Sequence, residues 1–170
     1  MKEIVLLGLL LFISTGVFAQ DDKKNEIEAG LGFYVSDANS FVNVGGNLTY
    51  RHYLSGKFGI GAGFGYEYDI STIEDGGHKG SFIPVFANMQ CNLPMSKKTY
   101  FIVGMNGGGA LSFGNGIRNN AEFYGLIAPQ IGLGFDVGNY GKSIQVKAGY
   151  KYVGDEHIGS SWGFNLSWCW

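Results

Sequence analysis

The chain has 170 residues, with 29 glycines, 15% aromatic residues, 15% charged residues, 3 prolines and 2 cysteines. Glycine stands far above its usual roughly 7% but does not recur at every third position, which excludes collagen, and 13 Phe, 10 Tyr and 3 Trp exclude a disordered chain. A net charge of −2 offers no footprint for nucleic acid, and two cysteines cannot make a disulfide scaffold.

The first segment reads as an export address. Lys2 is followed by an apolar run from Ile4 to Ile13, and Val17-Phe18-Ala19 supplies small residues where a signal peptidase cuts. Cleavage is expected after Ala19. The run is too short for a membrane helix, which needs roughly 20 apolar residues. Residues 1–19 are thus expected to be a signal peptide, 20–25 a polar leader, and 26–170 one folded domain.

Beyond the leader, period-two alternation predicts eight strands. Glu26–Ser36 sets Ile27, Ala29, Leu31, Phe33 and Val35 against Glu28, Gly30, Gly32 and Tyr34. Phe41–Leu54 follows, with Val42, Val44, Leu48 and Tyr50 against Asn43, Asn47, Thr49 and Arg51. Lys57–Ile70 alternates without a slip: Phe58, Ile60, Phe64, Tyr66 and Tyr68 oppose four glycines, Glu67 and Asp69. Ser81–Leu93, Thr99–Phe113, Glu122–Val137, Lys142–Val153 and Ser160–Trp170 continue the pattern. Ser55-Gly56, Pro94–Lys98 and Gly138–Gly141 read as tight turns. Ser71–Gly80, Gly114–Ala121 and Gly154–Gly159 read as longer polar loops, with Asp37–Ser40 a short connection on the same side.

Alternation alone fits a soluble sandwich as well as a membrane barrel. The second face decides. It is rich in Gly, Ser, Asn and Gln; a row of glycines at 59, 61, 63 and 65 makes a poor solvent face but suits a narrow lumen. Small residues there leave room for Arg51, Gln90 or Lys147. The strands are long enough to span a bilayer, which takes roughly 9–11 residues. Aromatic residues sit at both ends of the apolar face: Phe58 with Tyr66 and Tyr68, and Trp162 with Trp168 and Trp170, a girdle pattern. The expected fold is all-β: an eight-stranded antiparallel up-and-down transmembrane β-barrel.

These alternating strands, with the final Trp162-Gly163-Phe164-Asn165-Leu166-Ser167-Trp168-Cys169-Trp170, resemble the small outer-membrane β-barrel domains of Gram-negative bacteria, OmpX-like and OmpA-membrane-domain-like in architecture. The resemblance covers roughly residues 26–170. It implies outer-membrane lipid as the surroundings, termini in the periplasm and longer loops outside the cell. It also implies a barrel-assembly machinery that reads Phe164, Leu166, Trp168 and Trp170. The chain ends on Trp where Phe is usual in such barrels.

Charges sharing the inward parity are Glu28, Arg51, Glu67, Asp69, Asp136, Lys147 and Lys151; with Gln90 they are expected to form a pairing network that plugs the lumen. His52 is expected at head-group level. His78 near Asp75, and His157 near Asp155, Glu156, Ser160 and Ser161, could in principle serve a lipid A-modifying enzyme, but no fixed spacing links them. No metal-ligand spacing such as HxH or HExxH occurs, and no cofactor is expected. Pro84 and Pro129 predict bulges near a rim; the sharper alternative is a lateral gap of the OmpW-like or PagP-like kind, admitting small hydrophobic molecules. Cys91 and Cys169 have opposite parity, so they are expected to stay unpaired. The expected function is a monomeric, non-enzymatic barrel for envelope integrity or surface contact. The alternatives are lateral binding or transport of small hydrophobic ligands, a lipid A-modifying enzyme, and a soluble lipocalin-like binder.

Overall fold

A computed structural model describes residues 25–36, 42–70, 80–114, 122–137, 141–154 and 160–170. Eight antiparallel strands form β1 (Asn25–Ser36), β2 (Val42–Tyr53), β3 (Phe58–Asp69), β4 (Gly80–Pro94), β5 (Thr99–Gly114), β6 (Glu122–Asp136), β7 (Ser143–Val153) and β8 (Ser160–Cys169). Each pairs with the next, and β8 pairs back onto β1 to close the barrel. At the seam Ile27 and Trp170 exchange backbone hydrogen bonds of 2.9 and 3.0 Å. Closure leaves no open sheet edge for another chain to join.

The register fixes the barrel's geometry. From Glu26 it passes through Arg51, Gly61, Asn88, Asn106 and Ala128; carried across two unpaired rungs of β6 and β7 it reaches Lys151, then Ser161, and returns to β1 at Ser36, ten residues further along. A stagger of that size over eight strands tilts them about 40° from the axis. Tight turns join β2 to β3 and β4 to β5. Leu54 N donates to Phe58 O at 2.9 Å, and Met95 N to Thr99 O at 2.9 Å. Near the β6–β7 turn Gly141 has φ 67°, a left-handed conformation that costs glycine little.

The two faces of the sheet divide as the alternation predicts. Leu31, Phe64, Ile127, Ile131, Val146, Phe164 and Leu166 are exposed outside, while Glu28, Arg51, Asn88, Gln145 and Lys147 are buried inside. Outward apolar side chains and inward charges are inverted relative to a water-soluble fold and match a lipid-facing band. Tyr66, Tyr68 and Trp162 are exposed towards the loop end of this band; Trp168 and Trp170 are exposed, and Phe58 half-buried, towards the turn end. Trp162 meets Tyr150 edge-on at 4.8 Å.

The inward glycines make room for large neighbours. A Cβ on Gly59 would lie 2.6 Å from Arg51 Cδ, one on Gly132 2.8 Å from Lys147 Cγ, and one on Gly163 2.1 Å from the Tyr34 ring.

Two details depart from expectation. Neither proline makes a bulge: the register is the same on both sides of Pro84 and of Pro129. Instead rungs are missing, at Gly65–Tyr66 opposite Ile83–Pro84 and at Ala128–Pro129 opposite Tyr150–Lys151. Each proline lacks one ladder donor, but it still pairs on its other side, with Ala110 or Met105, and the long neighbouring strands hold the register. Cys91, although outward in parity, is buried; both cysteines are free.

Candidate functional site

The lumen gathers the buried polar side chains of the described residues. In its turn-end half Arg51 on β2 is the hub. Its Nη1 pairs with Glu26, its Nη2 with Glu28 Oε2 at 2.9 Å, and its Nε donates to Asn88 Oδ1 at 2.7 Å. Lys147 reaches across from β7 to the other oxygen of Glu28. Two carboxylates thus meet two cations, all deeply buried. The surroundings extend this order: Asn88 donates to Asn106 at 2.7 Å, Tyr53 to Glu26 at 3.2 Å, and Asn92 to Tyr53 at 2.9 Å. Gln90 donates to Asn92 at 2.9 Å. A second set closes the same end, where Tyr100 donates to Ser143 at 2.9 Å and accepts from Gln145 at 3.1 Å.

The loop-end half is built differently. Lys151 pairs with Glu67, and its ammonium lies 4.0 Å from the centre of the Tyr34 ring. Beside that pair, β4 to β7 contribute an inward apolar cluster of Phe86, Ala110, Leu126 and Val153, with Tyr124 and Ala128 against it. Between the halves Asn165 donates to Asn47 at 2.8 Å.

Little space remains. A cavity of about 40 Å³ lies mid-lumen among Glu28, Tyr34, Arg51, Phe86, Lys147 and Lys151. That is room for a few waters. A larger pocket of about 160 Å³ opens at the turn-end mouth, between Tyr53, Asn92, Lys97 and Tyr100.

The expected lumen residues take these positions. Glu28, Arg51, Glu67, Lys147 and Lys151 form ion pairs, Gln90 joins the amide chain, and Asp69 is buried near the loop end. Asp136 is a correction. It keeps inward parity but is exposed at the turn-end mouth, because β6 ends there. Glu26, Tyr53, Asn88 and Asn106 were not singled out from the sequence, although Glu26 shares parity with Glu28 and Tyr53 with Arg51. The apolar cluster was also missed, since it draws one residue from each of four strands. His52 is exposed, with Nδ1 2.9 Å from Asn25 Oδ1. His78 and His157 lie outside the described residues. Ligand atoms of Glu26, Glu28 and Cys169 approach within 4.8 Å of one another, but Arg51 and Lys147 already neutralise both carboxylates.

Solved structures share this architecture. Neisserial surface protein A (NspA) superposes with a TM-score of 0.67 at 8% identity, over 85% of this chain and 94% of that one. This is the fold of the small outer-membrane β-barrels. The N-terminal β-barrel domain of Pseudomonas aeruginosa OprF gives 0.54 at 11% identity, covering 86% and 98%. The outer membrane enzyme PagL gives 0.52 at 12% identity, covering 85% and 97%. No family model matches the chain, and no curated protein matches it. The outer-membrane barrel fold thus accommodates both a surface protein and an enzyme, and the choice between such roles rests on the residues.

Proposed function

We propose that the chain is a non-enzymatic, monomeric outer-membrane barrel whose lumen is plugged and whose loop end serves envelope integrity or surface contact. The observation that carries this reading is the Glu26–Arg51–Glu28–Lys147 network, which fills the middle of the turn-end lumen with paired charge beside a cavity of about 40 Å³. On this reading residues 1–19 are removed on export, the barrel-assembly machinery takes up β8, and the loops face outward. The test has two parts. The exported chain should sit in the outer-membrane fraction and migrate faster unheated than boiled; in planar bilayers it should give no steady single-channel current. A soluble chain without the heat shift overturns the membrane location, and a steady current overturns the plug. Lipid A in expressing cells should keep its acylation pattern. A changed pattern that is lost in His78→Ala or His157→Ala would replace this reading with an enzymatic one.

A second reading is favoured by one feature. The missing rungs at Pro129 lie next to the inward apolar cluster at Leu126 and Val153, where a small hydrophobic ligand could enter from the side. It predicts saturable binding of a fluorescent fatty acid that Leu126→Asp abolishes. Non-saturable partitioning would remove it.

A further inference from the structure

The described turns share a charge pattern. Lys57 directly precedes β3, Lys97 and Lys98 directly precede β5, and Lys142 directly precedes β7. The sequence repeats the pattern with Lys24 before β1, which lies outside the described residues. The lysines are held at the barrel end by backbone pairing: Asn92 N donates to Lys57 O at 2.7 Å, Asp136 N to Lys98 O at 2.8 Å, and Val137 N to Lys142 O at 2.8 Å. Lys97, Lys98 and Lys142 are exposed and Lys57 is half-buried. Successive turns are about a quarter of the circumference apart in an eight-stranded barrel. Among the described residues the positive charge therefore stands at three of the four positions around the rim and is not gathered into one patch; Lys97 also borders the pocket at the lumen mouth. Among the described residues Asp136 is the exposed acid at that end. Directly inward lie the aromatic residues Phe58, Phe135 and Trp168 of the outer face. The opposite end contrasts: the loop segments outside the described residues carry five acidic residues against Lys79 and Arg118.

We propose that this lysine collar is a contact for anionic phospholipid head groups in the leaflet that surrounds the turns. The inference rests on the membrane-barrel reading above. Lysines placed just beyond an aromatic belt extend their ammonium groups to the phosphate level while their stems lie along apolar surface. Cationic side chains beside a membrane surface are drawn to anionic lipid within a Debye length, and the attraction weakens with salt. A ring of single charges at separate turns suits a fluid shell of several lipids better than one compact anion.

The test uses the full exported chain folded into vesicles of equal parts phosphatidylcholine and phosphatidylglycerol. The barrel is released in mild detergent and its retained lipids are weighed by native mass spectrometry. Heat-shifted migration, read in parallel, reports folding; a wild-type chain without it fails the membrane reading first. The expected result is enrichment of phosphatidylglycerol by about tenfold or more, falling towards unity in the Lys57→Gln, Lys97→Gln, Lys98→Gln, Lys142→Gln combination and in high salt. Lys79→Gln with Arg118→Gln should leave it unchanged. Should the combination not fold, Lys57→Gln and Lys142→Gln singly should each lower the enrichment about two- to fivefold. No enrichment in the wild type, enrichment that survives the lysine changes, or loss equally caused by the Lys79 and Arg118 changes would overturn the proposal. So would displacement by millimolar inorganic phosphate at constant ionic strength, which would mark a discrete anion site.

Discussion

The two halves of the lumen solve the same problem in opposite ways. Towards the turns, Glu26, Glu28, Arg51 and Lys147 fill the interior with charge balanced by charge, supported by Asn88. Towards the loops, Phe86, Ala110, Leu126 and Val153 supply an apolar cluster on one side, with the Lys151–Glu67 pair and the buried Asp69 beside it. A buried ion pair gains little over a well-packed apolar substitute, but losing one partner is expensive because the other stays charged and dry. An apolar cluster loses stability through volume alone. The turn-end half should therefore be sensitive to charge balance, and the loop-end half to size.

The largest expected effect tests the first half of that contrast. Arg51→Ala takes the paired cation from Glu26 and leaves Glu28 with Lys147 alone, and should lower stability in vesicles by roughly 3–5 kcal/mol, read from urea unfolding followed by tryptophan fluorescence. Arg51→Met combined with Glu26→Gln, which keeps the Glu28–Lys147 pair, should recover much of the loss; no recovery would mean that shape and not charge carries this region. Next comes Leu126→Ala in the apolar cluster, expected to cost about 2–4 kcal/mol and to be indifferent to charge changes at Lys151. Coupling between Leu126 and Lys151 in a double-mutant cycle would break the separation of the halves. Glu67→Gln leaves Lys151 without its carboxylate but over the Tyr34 ring, and should cost about 1–3 kcal/mol, less than the Arg51 change. The smallest effect is expected from Tyr100→Phe, which removes the hydroxyl shared by Ser143 and Gln145 and should cost about 1 kcal/mol. A loss as large as that of Arg51→Ala would place the closure of the turn end at Tyr100 instead.

Much of this was legible along the chain, for a physical reason. A strand sends successive side chains to opposite faces, so parity sorts residues without any knowledge of partners. Arg51, Lys147 and Glu28 could be assigned to the interior in this way, and so could Glu26 and Tyr53, which carry the same signal. Parity does not say how far along the axis a residue sits. Asp136 illustrates this: its inward parity is right, yet it stands exposed at the mouth. The prolines illustrate a second limit. Proline predicts a lost ladder bond, but whether the strand bulges or keeps its register depends on how firmly both neighbours hold it, and here they keep it.

By itself, the sequence determined the strand count, the inward and outward faces and the barrel class, because each follows from local alternation and from which side chains tolerate lipid. Tertiary structure decided which charge meets which. Glu28 and Lys147 stand 119 residues apart and touch because closure leaves only β8 between β1 and β7, so both side chains enter the same part of the lumen. The same closure placed Gly163 beneath Tyr34 and brought four separate strands together at the Phe86 cluster. Such pairings depend on the stagger accumulated around the whole barrel, a quantity that no single strand contains.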